Sequence, residues 1–67
     1  MFRDILLDLM AEKRIKQIDL SKATGIPPTT VSGWLNAGRL PDYHALRKLS
    51  LYFEISADYL LGLKEYD

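Results

Sequence analysis

Sixty-seven residues without a cysteine make one small domain, residues 1–67, whose core works without disulfides or a thiolate metal site. His44 is the single histidine and cannot build a zinc site alone. No apolar run approaches the roughly 20 residues of a membrane span, and Asp4 and Asp8 break the order of a secretory leader, so a cytoplasmic protein with no metal is expected.

Zero net charge weighs against nucleic acid until its distribution is read. Between Lys13 and Lys48, seven basic residues (Lys13, Arg14, Lys16, Lys22, Arg39, Arg47, Lys48) stand against Asp19 and Asp42; elsewhere Arg3 and Lys64 stand against seven acids. Such polarity presents a positive side to phosphates and a negative side away from them. The alternative is ordinary solvated helix charge.

Met1 to about Arg14 reads as an amphipathic helix, with Phe2, Ile5, Leu6, Leu9 and Lys13 on one face. Asp4, Asp8 and Glu12 form its solvated side, since no second cluster or nucleophile accompanies them to make an acid–base site. Leu7 and Met10 lie off the apolar stripe and need a partner. Ile15 enters the core from a short link, and a second helix runs from about Gln17 to Thr24. It turns Leu20 and Ala23 inward and keeps Ser21 small where the next helix approaches. Gly25 ends it, as glycine takes a positive φ cheaply. Proline is tolerated where a helix begins, so the Pro27-Pro28 step opens a third helix to about Leu35. After Ile26 in the turn, Val31 and Trp34 face inward; their spacing makes Trp34 a core residue rather than a base-stacking platform.

Asn36 to Leu40 is a loop containing Gly38. Asp42 caps a fourth helix, about Tyr43 to Phe53, which buries Leu46, Leu49 and Phe53, and His44 sits on its surface. Ser56 caps a fifth, about Ala57 to Leu61, with Asp58 in its first turn and Gly62 after it. Residues 63–67 read as a frayed tail. The stretch from about 17 to 36 is a helix pair joined by a glycine turn, the helix-turn-helix unit whose second helix enters the major groove of DNA.

With Gln17, Gly25, Trp34, Asn36 and Pro41 at these intervals, the sequence resembles the Cro/lambda-repressor (XRE) family of helix-turn-helix regulators. The likeness runs from about Phe2 to Gly62, and the closing ISADYLLG looks like the end of many Gram-positive and phage members. The resemblance implies an all-α, compact five-helix domain that binds double-stranded DNA, with no cofactor, no small-molecule ligand and no catalysis. It assigns phosphate contact to Gln17, which also fixes the third helix, and to Asn36. Base edges fall to the exposed first turns of that helix, Pro28, Thr29, Ser32 and Gly33 with Thr30 adjacent. Lys16 and Arg39 flank the site as phosphate contacts, which orient without reading sequence.

Two departures stand out. Family members often read bases with Gln, Arg, Lys or Asn; the positions here hold short side chains, which predicts weaker direct readout and more reliance on DNA shape. Relatives also carry a buried arginine–glutamate pair where this chain has Met10 and Leu35, an apolar exchange that avoids desolvating charge and predicts that the two side chains touch. Ile18, Leu40, Tyr52, Tyr59, Leu63 and Tyr66 exceed what so small a core can hold. A homodimer through the fifth helix and tail (Tyr59, Leu63, Tyr66) accounts for them and suits two-fold operators. The expected function is a sequence-specific transcriptional regulator, a repressor of bacterial or prophage type. The alternative is a protein-interaction module or antitoxin on the same fold.

Overall fold

In the computed structural model, which describes residues 2–63, five helices follow one another: α1 (Phe2–Lys13), α2 (Gln17–Thr24), α3 (Pro28–Asn36), α4 (Tyr43–Phe53) and α5 (Ala57–Leu60). No strand occurs among the described residues. Met1 and most of the expected tail, Tyr66 included, lie outside them. Against the sequence reading, α3 runs one residue further, taking Asn36 out of the loop, and α5 ends at Leu60, with Leu61 as its cap.

Every helix is followed within two residues by one in the left-handed region: Arg14 (φ 57°), Gly25 (77°) and Glu54 (57°) directly after α1, α2 and α4, and Gly38 (68°) and Gly62 (80°) one residue beyond the caps Ala37 and Leu61 of α3 and α5. That conformation turns the chain back so that later amides reach the last carbonyls of the helix, which have no partner within it. The amides of Ile15, Ile55 and Leu63 donate to the carbonyls of Met10, Ser50 and Asp58 at 3.1, 3.1 and 2.8 Å, and the Gly25 amide to that of Ser21 at 2.8 Å. An isoleucine follows three of the five stops (Ile15, Ile26, Ile55) and packs on the core. Two of these turns share a further bond, because the Ser21 hydroxyl donates to the Ile26 carbonyl and the Ser50 hydroxyl to that of Ile55. The turn between α2 and α3 is thus rebuilt between α4 and α5.

Helix starts are as local. The Asp19 carboxylate accepts the Lys16 amide at 2.8 Å, Asp42 accepts that of Ala45 at 2.8 Å, and the Ser56 hydroxyl accepts that of Tyr59 at 3.2 Å. α3 has no side-chain cap and begins with Pro28, whose missing N–H leaves one fewer donor to satisfy.

Each helix contributes one side chain wholly shut off from solvent: Leu6, Leu20, Val31, Leu49 and Leu60. Removing such a side chain from water contributes about 1.5–3 kcal/mol. Trp34 fills the space among them, and the Phe2 ring meets it edge-on at 5.6 Å and 85°. Met10 and Leu35 both belong to this buried cluster.

Some expected inward positions differ. Ala23 is exposed, because the inner face of α2 continues from Leu20 to Thr24, four residues on, whose hydroxyl donates to the Leu20 carbonyl at 2.7 Å. Leu46 is half-buried and Ala45 takes the deeper place. Tyr52 and Tyr59 lean on the core half-buried, with the Lys13 ammonium 5.1 Å from the centre of the Tyr52 ring. Among the described residues, the large apolar side chains left in solvent are Leu7, Ile18, Leu40, Tyr43, Leu51, Leu61 and Leu63.

Candidate nucleic-acid interface

α3 packs against α2 and α1 through Val31, Trp34 and Leu35. At 100° per residue, the face opposite those three carries Thr29, Ser32, Gly33 and Asn36, with Pro28 and Thr30 at its margins. Pro28, Thr29, Thr30 and Asn36 are exposed, whereas Ser32 and Gly33 are half-buried. Of the residues expected to read bases, Thr29, Ser32 and Gly33 therefore share the outward edge, Pro28 and Thr30 flank it on opposite sides, and none of them is part of the core.

Two contacts organise this edge. The Asn36 amide group donates to the Ser32 hydroxyl at 3.0 Å, one turn back, laying a polar pair along the helix. At Gly33 the helix has no side chain, and Arg39 covers the gap: a Cβ built on Gly33 would stand 3.2 Å from the Arg39 Cδ. The main chain closes the same way, with the amides of Ala37 and Arg39 both donating to the Gly33 carbonyl at 3.1 Å. Arg39 also lines a cleft with Thr29, Thr30, Trp34, Leu40 and Asp42. Lys16 and Gln17 belong to a different helix, at the exposed start of α2. The Lys16 amide is held by Asp19, which leaves its ammonium chain to extend into solvent.

Arg3 is a residue the sequence reading left out. Its Nε donates to the Leu35 carbonyl at 2.7 Å, and its Nη1 lies 3.3 Å from the Asp4 carboxylate. The exposed ion pair contributes little. The bond to Leu35 does more for the site, since it satisfies a carbonyl at the end of α3 with a positive group where the helix dipole favours one. Nothing in the periodicity of α1 marks Arg3 for this task; it looks like any solvated arginine. Among the described residues no group of His, Cys, Asp and Glu is placed to hold a metal ion, and no helix is long and apolar enough to cross a membrane.

The helix-turn-helix family model matches residues 6–60, which takes in all of α2, α3 and α4. No curated protein and no solved structure matches the chain significantly.

Proposed function

Since the chain belongs to the Cro/lambda-repressor (XRE) family of helix-turn-helix proteins, we propose that it is a sequence-specific transcriptional regulator working in the cytoplasm of a bacterium or from a prophage. It lays α3 in the major groove of duplex DNA and represses by occupying a promoter. The observation that carries this reading is the outward edge of α3, where Thr29, Thr30 and Asn36 are exposed and no residue belongs to the core. Thr29, Thr30 and Ser32 offer hydroxyls, and the threonines methyls, to base edges, Pro28 lets the helix backbone come close, and Gly33 leaves the room that the Arg39 stem occupies. Lys16, Gln17 and Asn36 hold the sugar–phosphate strands. Direct readout from such short side chains is limited, so DNA shape contributes to the choice of operator.

A homodimer presents two α3 helices to half-sites about 34–36 Å apart. The exposed Leu61 and Leu63, next to the half-buried Tyr59, supply apolar surface for that contact. Sedimentation as a monomer at the highest soluble concentration, with and without DNA, would remove the dimer from the proposal.

The test of DNA binding is fluorescence anisotropy on mixed-sequence duplexes across a salt series. Affinity should fall steeply with salt; Gln17→Ala with Asn36→Ala should weaken it at every salt concentration without changing the slope, since neither side chain is charged, whereas Lys16→Ala should flatten the slope by about one. No measurable affinity at low salt would favour the second reading, an interaction module or antitoxin. That reading draws on the zero net charge and on the exposure of Leu40, Tyr43 and Leu51.

A further inference from the structure

We infer that Arg39, from the loop after α3, reads a base: its guanidinium serves the middle of the α3 face, where the helix has no side chain of its own. The inference rests on the DNA-binding reading above and deepens it. Thr29, Ser32 and Asn36 surround Gly33 on that face, and the Asn36 amide group is engaged with Ser32. A Cβ on Gly33 would meet Arg39 Cδ at 3.2 Å and Cγ and Nε at 3.9 Å, so the arginine stem lies across the helix at residue 33. The backbone holds it there. Gly38 turns the chain at φ 68°, and the Arg39 amide returns to the Gly33 carbonyl at 3.1 Å. Asp42 lines the same cleft, yet among the described residues the ion pair formed is Arg3 with Asp4, and Arg39 is exposed.

Placement favours a base over a phosphate as the partner, since a guanidinium fits either. A planar guanidinium matches the two acceptors of guanine, O6 and N7, in the major groove. It is a long cationic side chain laid across an α3 face whose own residues are proline, threonine, serine, glycine and asparagine. A phosphate-contacting arginine has no need to cross that helix. The rival role is complementing the negative end of the α3 dipole, which calls for a positive charge but not for base contact.

The experiment is selection of bound duplexes from a random DNA pool by wild type, Arg39→Ala and Arg39→Gln, with thermal unfolding of each protein in parallel. Wild type should select a motif with a fixed guanine in each half-site. Arg39→Ala should make that position degenerate while the other positions persist, the preference for guanine dropping from roughly 5- to 150-fold towards none. Arg39→Gln should move the preference towards adenine, which glutamine recognises and a structural role would not produce. If Arg39→Ala keeps every motif position and weakens all duplexes alike, with the salt slope shallower by about one, Arg39 contacts phosphate and the inference fails. A uniform loss that tracks a lower melting temperature overturns it in favour of the helix-end role. Wild-type protein that binds no duplex removes the proposed function itself, an outcome visible without any variant.

Discussion

Gly25→Ala isolates the energy of the turn that sets α3 on α2. Gly25 sits at φ 77° and ψ 8°, and a Cβ added there would have no neighbour within 4 Å. Steric clash with the rest of the protein is therefore absent, and only the backbone term remains. A left-handed conformation costs an L-residue about 1–2 kcal/mol, while replacing glycine restricts the unfolded chain and returns about 0.4–1 kcal/mol. The net loss is about 1 kcal/mol. For a domain of this size, each kcal/mol lowers the melting temperature by about 4–8 °C. Thermal and urea unfolding followed by circular dichroism measure it, and anisotropy below the transition should show unchanged DNA affinity, since the turn keeps its geometry. A loss above about 3 kcal/mol would mean that the Cβ meets something the structure leaves open. A gain in stability would mean that the turn is not left-handed in solution.

The converse holds at Glu54, a non-glycine stop at φ 57°: Glu54→Gly should raise stability by up to about 1 kcal/mol, seen as a higher melting temperature. Asp42→Ala removes the acceptor of the Ala45 amide and should cost about 0.5–2 kcal/mol in urea unfolding, with α4 fraying first in hydrogen exchange. Trp34→Ala should cost about 3–5 kcal/mol, which rivals the whole stability of so small a domain; loss of the helical far-ultraviolet signal at 25 °C checks it. Arg3→Ala should leave helix content unchanged and speed exchange of the amides in the last turn of α3, because a carbonyl there loses its donor.

Much of this architecture was open to reading from residue order, for reasons that are themselves local. Gly25, the Pro27-Pro28 step, Asp42 and Ser56 act through bonds a few residues long, so their positions announce the helix boundaries they make. At Arg14 and Glu54 residue order placed the helix ends but not the left-handed conformation that makes them. The usual mark of a left-handed stop is glycine, and the available signal was instead the isoleucine that follows, in Arg14-Ile15-Lys16, Gly25-Ile26-Pro27 and Glu54-Ile55-Ser56. At the outward edge of α3, periodicity found which residues lie outside the core. It gave Gly33 as a bare reading position, whereas the structure makes it room for a side chain six residues later. Arg3 and Arg39 act through long, flexible stems across gaps in the chain, and alternation of apolar and polar residues carries no information about where such stems lie.

The serine and isoleucine that tie the α2–α3 turn recur in the α4–α5 turn, which the chain reaches only after leaving α3. The molecule therefore contains its own control experiment. A change made at Ser50 strains the same hydroxyl bridge as one at Ser21, but in a hairpin that carries no expected DNA contact. Comparing the pair separates what the bridge does for folding from what it does for grip.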